Sequence, residues 1–154
     1  MERRISRQTI VVPYNGHSTI KRMFETGTLD RRSRLLTDDN FPSEKTDEER
    51  IEAALVPFYL NDDGISTDEV LATLQSYRLR PMTLAELLAL AMQRPVIMGE
   101  VPVAALGQFY PSRLKMPRWP ILSRNNAVLL SLGIGRGWGS CWRGNWHFAA
   151  AQPT

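Results

Sequence analysis

Cysteine is nearly absent: Cys141 is the only one in 154 residues. A lone thiol makes no internal disulfide, and with only His17 and His147 to assist it there is no cysteine-based zinc site. No base stands beside it in the sequence, so it reads as an inert small residue. Long apolar runs are missing too. No stretch approaches the ~18–20 residues of a membrane span, and Ile10-Val11-Val12 behind Arg3, Arg4 and Arg7 is too short for a signal peptide. The expectation is a soluble chain with no signal peptide, free or carried on an assembly such as a virion. Carboxylates vanish from the C-terminal third: Val101 to Thr154 holds six basic side chains and no aspartate or glutamate. That end supplies neither a calcium or magnesium cage nor the paired acids of a glycosidase. Its glycines miss the dinucleotide and Walker A patterns, Ser140 sits in no nucleophile elbow, and His147 has no nearby acid. No catalytic residue, no metal and no cofactor is expected.

What is present suits a globular chain: 43% apolar and 23% charged residues, with a net charge of +3. The size fits one domain, 1–154, able to bury roughly 70% of its unfolded surface without staples. Charge divides it. Residues 1–36 hold eight basic and three acidic side chains, and residues 37–70 hold two basic and eleven acidic. Three parts follow: a basic N-terminal strand and loop region (1–45), a helical part (46–95) and C-terminal strands (96–154).

The β-branched run Thr9-Ile10-Val11-Val12, ended by Pro13 and Asn15-Gly16, reads as a strand and turn. Residues 17–34 are basic and weakly periodic, and 35–45 read as a loop. Three capping boxes then announce helices: Thr46 with Glu49, the helix closing at Pro57; Ser66 with Glu69, ending near Tyr77–Arg80; and Thr83 with Glu86, ending at Pro95. First-turn acids such as Asp47, Glu48, Asp68 and Glu69 suit helix dipoles, which explains much of the acidic run. Beyond the short apolar stretch Val101–Gly107, prolines 111, 117 and 120 break up a loop. Pro120–Ser123, Ala127–Leu132 and Asn145–Ala151 read as strands. Helices segregated from strands predict an α+β fold with a mostly antiparallel sheet.

The segment from Gly133 to Phe148 stands apart. Trp138, Trp142 and Trp146 recur every fourth residue among glycine, arginine, serine, cysteine, asparagine and histidine. Five glycines argue against a helix, each costing ~1 kcal/mol relative to alanine. Alternation puts Trp146 and Phe148 on one strand face and Asn145 and His147 on the other; likewise Leu130 and Leu132 lie inside, Ser131 and Gly133 outside. A solvated face usually carries lysine and glutamate, yet Pro117 to Ala151 contains no lysine, glutamate, aspartate or glutamine.

Arg80-Pro81-Met82-Thr83-Leu84-Ala85-Glu86-Leu87-Leu88, then Val101–Gly107, then the Trp-rich end closing on Trp146-His147-Phe148-Ala149-Ala150 resemble the variable proteins of diversity-generating retroelements, known from phages, archaeal viruses and small-genome prokaryotes. The resemblance spans about residues 78–151. It implies a C-type-lectin-like fold whose C-terminal segment, here about 123–148, carries hypervariable ligand contacts. In that family, mutagenesis directed at adenines turns asparagine codons into those for Gly, Arg, Ser, Cys, Ile or His, among others, but not Trp, Lys, Glu, Gln or Met. Ser131, Gly133, Ile134, Gly135, Arg136, Gly137, Gly139, Cys141, Arg143, Gly144, Asn145 and His147 are of permitted types and become the candidate ligand-binding positions. Trp138, Trp142, Trp146 and Phe148 become the fixed scaffold. The chain lacks the Gly-Gly-Ser-Trp run of one branch of the fold, echoed only by Gly137-Trp138-Gly139-Ser140, and the acidic calcium ligands of sugar-binding lectins.

The function expected is recognition of a protein or cell-surface ligand, by analogy the attachment of a virus or symbiont to its host. The alternative is single-stranded nucleic-acid binding, with arginines on phosphates and bases stacked on rings.

Overall fold

The computed structural model describes residues 4–26, 29–31, 33–95, 101–111, 117–125, 129–136 and 141–153, with backbone alone for 30–31, 60–63, 124–125, 129–136, 141 and 143. In chain order it contains β1 (Ser6–Val12), a 3-10 turn (Gly16–Ser18), α1 (Thr19–Thr26), β2 (Asp30–Arg31), β3 (Glu49–Ser66), α2 (Thr67–Ser76), β4 (Arg80–Pro81), α3 (Leu84–Gln93), β5 (Val103–Ala105), β6 (Tyr110–Pro111), β7 (Pro117–Asn125), β8 (Leu129–Arg136) and β9 (Cys141–Ala151). The fold is α+β. Its strands form one mixed sheet in the order β1-β3-β9-β5-β7-β8-β2, with β4 beside β9 and β6 beside β7. Six of the eight pairings among the described residues are antiparallel; β5–β9 and β2–β8 are parallel.

The first expected helix is a strand. Thr46 and Glu49 do not form a capping box; Glu49 pairs with Lys45 and opens β3. The reason is burial on both faces. Ile51, Ala53 and Leu55 enter one core, while Ala54, Val56 and Phe58 enter another. A helix would aim a single stripe inward, whereas a strand inside a three-layer fold needs both parities apolar, as this run provides. Pro57 does not end the element. It lies opposite His147, whose N–H donates to Pro102 O at 3.0 Å on the far side. The missing N–H of Pro57 therefore faces the flank where β1 has already stopped pairing, at Ser6↔Leu55.

The other two helix starts hold, the first as a simple N-cap and the second as a complete box. Ser66 Oγ accepts from Glu69 N at the start of α2, and Thr83 with Glu86 forms the full reciprocal box at α3. One helix has no sequence announcement: α1 is capped by Asp38, whose carboxylate accepts from Ile20 N (2.8 Å) and Lys21 N (3.1 Å). Pro111, Pro117 and Pro120 lie in strands, not a loop. Pro117 opens β7, and at Pro120 pairing with β5 has already ended, places where a lost N–H costs least. The late strands are longer than expected or displaced: β8 takes in Gly133–Arg136, and β9 starts at Cys141.

α1 and α3 cover one face of the sheet and α2 the other. α3 is buried at every position from Leu84 to Ala91, including Glu86, as expected of a helix lying within a core. Gly107 lets the chain pass against α3's entry: its N–H donates to Met82 O at 2.7 Å, and a Cβ there would lie 2.4 Å from that oxygen.

Candidate functional site

β9 carries large rings on one parity. Trp142 and Phe148 are buried and Trp146 is half-buried, each ring contacting the other two. Trp142 meets Trp146 edge-on at 4.8 Å and Phe148 at 5.2 Å, geometry that suits the ring quadrupoles. Phe58, from β3, adds an edge contact to Phe148 at 5.1 Å. The Trp142 indole N–H donates to Thr67 Oγ1 at 2.9 Å, which ties the cluster to α2. A buried indole with a partnered N–H is a fixed point of the fold.

The opposite parity changes along the strand. Ala149 and Ala151 are buried in the core under α3, so this is not an outer face throughout. His147 marks the border. It is half-buried, its Nδ1 is enclosed with no hydrogen-bond partner among the described residues, and burial holds its pKa below the ordinary value of 6.5. Asn145 is exposed. Gly144 is exposed too, at the point where β3–β9 register shifts, with φ +82° and no atom within 4 Å of a built Cβ. Register adds a residue the sequence did not suggest. Tyr59 of β3 lies opposite Asn145 and is 66% exposed, the most exposed large hydrophobic side chain among the described residues. Tyrosine opposite a polar residue on a solvent-facing strand carries no signal until pairing is known.

The remaining candidates are not gathered on β9. Ser131, Gly133, Ile134, Gly135 and Arg136 have their backbone in β8, which β5 and β7 separate from β9. At about 4.8 Å per strand that is roughly 14 Å across the sheet. The backbones of Cys141 and Arg143 lie in β9; the side chains of all seven, and Gly137, Trp138 and Gly139 entirely, fall outside the described residues. So do the expected orientations of Leu130 and Leu132. Five residue steps join Arg136 to Cys141, which caps their separation at about 18 Å.

No protein-family model matches the chain, nor does any curated protein or any solved structure.

A concavity lies apart from the Gly144–His147 stretch of β9. A cavity of about 330 Å³ opens between residues 41–45, Tyr14 and the start of α3. Arg80 grips Glu86 bidentately, Nη1 to Oε1 at 2.8 Å and Nη2 to Oε2 at 2.6 Å, and Thr83 donates to the same carboxylate from N and Oγ1. Burial alone pushes the Glu86 carboxyl up; the Arg80 and Thr83 contacts outweigh it and hold the pKa below the ordinary 4.5. Burial, then Glu86 and Glu49, push the Tyr14 phenol well above its usual range. Lys45 lies 5.5 Å over the Tyr14 ring and pairs with Glu49. Gln108 spans the cavity's edge, donating to Pro42 O at 2.7 Å and accepting from Leu84 N at 3.1 Å. Among the described residues no group of three His, Cys, Asp or Glu is placed to hold a metal, and no helix is long and apolar enough to cross a membrane.

Proposed function

We propose that the chain is a ligand-recognition protein of C-type-lectin-like fold whose C-terminal surface is diversified by a retroelement. The ligand is a protein or cell-surface molecule, met from a virion or symbiont surface, and no chemistry is performed on it. At the level of class, an α+β fold with a mixed, mostly antiparallel sheet agrees with this. One observation carries the reading: within β9, Trp142 and Phe148 are buried and partnered, while Gly144 and Asn145 between them are exposed. The buried rings hold the strand; Gly144 and Asn145, both of permitted types, have room to change. Tyr59 joins them as an unvaried aromatic anchor, a residue type that concentrates binding energy at interfaces. The nucleic-acid alternative gains less support, because it needs ring faces open to bases, and Trp142 and Phe148 are closed.

Two libraries test the reading. One randomises Arg136, Arg143, Asn145 and His147; the other randomises Trp142, Trp146 and Phe148. The first should stay folded and yield binders to a model protein ligand such as lysozyme; the second should mostly unfold, since losing one such ring costs about 3–5 kcal/mol. In a selected binder, Tyr59→Ala should weaken affinity about tenfold or more. Folded scaffold variants alongside an intolerant surface library would sink the proposal. In the surrounding DNA, the reading requires an imperfect copy of the final segment, adenines at the differing positions, and a reverse-transcriptase frame.

A further inference from the structure

The cavity beside α3 is unrelated to the C-terminal surface, and its chemistry is specific. Its walls bring an aromatic ring and carboxylates together: Tyr14 and Phe41 are buried, Glu44 is at the rim, and Glu86 lies at the back in the grip of Arg80. Arg80 is thereby committed, which leaves Lys45 as the cation that meets the Tyr14 face. Lys45 is about half exposed and belongs to the loop before β3, so it is held by little beyond the ring and Glu49. If it swings into solvent, the Tyr14 face is uncovered, and Glu44 and Glu49 are left without an ion pair among the described residues, Arg80 being held by Glu86. An aromatic face flanked by unpaired carboxylates attracts organic cations, through the ring quadrupole and through charge. The Gln108 bridge fixes the lip of the space, holding Pro42 and Leu84 at a set distance, so a cavity persists when the lysine leaves.

We propose that this cavity binds a small primary alkylammonium group, and that Lys45 is the occupant the chain supplies in its absence. A ligand ammonium on a three- or four-carbon stem would take the path of the Lys45 side chain, its charge over the Tyr14 ring and beside Glu49 and Glu44. Displacement frees Lys45 and alters the loop 41–45, so binding is reported at that loop as well as at the ring. A free amine and a peptide lysine present the same chemistry.

Heteronuclear NMR of the full chain decides the matter, with n-butylammonium chloride, sodium butyrate and a lysine blocked at both ends as the probes at constant ionic strength. Butylammonium should shift Tyr14 and residues 41–45 saturably. Lys45→Ala, a change at an exposed position, should bind it about tenfold tighter because the internal competitor is gone. Adding Glu44→Gln, also exposed, should reverse part of that gain, and butyrate should shift nothing there. Binding of the blocked lysine at similar strength identifies a protein lysine as the source; binding of butylammonium alone identifies a free amine. The proposal is overturned by non-saturable shifts in Lys45→Ala, by butyrate acting equally, or by an affinity that neither substitution changes.

Discussion

At Gly144 two constraints meet. A side chain has open space, yet φ +82° lies where L-residues rarely go, asparagine being among the tolerated exceptions. Gly144→Asn should therefore leave thermal stability nearly unchanged, whereas Gly144→Val should cost about 1–3 kcal/mol, read from denaturant midpoints. Equal losses would mean that the backbone there is not held. Under the proposed function an asparagine codon is the precursor of this glycine, so the residue seen and its proposed precursor both suit the site. His147 yields a pH prediction. Its folded pKa lies below 6.5 because burial disfavours the cation, so as pH drops below 6.5 the unfolded chain takes up the proton first and stability is lost as the pH is lowered. His147→Gln should flatten that part of the stability–pH curve. An unchanged slope between the ordinary value and the more acidic folded one would show that the ring is not desolvated.

The start of α3 makes one residue serve two elements. Glu86 completes the helix's capping box and also holds Arg80 of β4. Removing the arginine strands a carboxylate that is 1% exposed, so Arg80→Met should cost about 3 kcal/mol or more. Glu86→Gln should cost less, because Arg80 keeps access to water. The Glu86 pKa is depressed in the fold, so its contribution is complete above the ordinary carboxylate pKa of 4.5 and disappears as pH falls through the lower folded value. Acid unfolding followed by circular dichroism should show this loss in the parent and not in Glu86→Gln. Parallel acid profiles for the two proteins would refute it. Thr83–Glu86 was legible in sequence as a cap, because capping is local; the arginine partner was not, because it comes from outside the helix. The same contrast separates α3, whose cap is three residues from its partner, from α1, whose cap Asp38 lies 18 residues away from Ile20.

Across the molecule, the sheet lies between α1 and α3 on one side and α2 on the other, and β3 and β9 pair along most of their length within it. Amide exchange should be slowest in Ala53–Phe58, Leu84–Ala91 and Phe148–Ala151, where opening requires the whole fold, and fast in the two-residue strands β2 and β6. Faster exchange in β9 than in β1 would contradict this centre. The sheet order also decides how a C-terminal surface is assembled. With β5 and β7 inserted between β8 and β9, consecutive strands of the glycine-rich end are not neighbours. If the proposed recognition surface spans both strands, it has to reach across β5 and β7.

Sequence alone determined what depends on near neighbours: the α+β class, the caps of α2 and α3, the β1 strand, and the inward turn of Phe148, since a cap spans three residues and a strand's faces alternate by two. Tertiary structure decided whatever depends on burial from both sides or on pairing between distant segments. It made 49–57 a strand in spite of a capping signal, because both of its faces meet a core. It put Tyr59 beside Asn145 through register, and Lys45 over Tyr14 through the folding back of a loop. The physical reason is one of range: a local hydrogen bond or a periodicity is written in adjacent residues, but desolvation and strand partnership are set by what arrives from elsewhere in the chain.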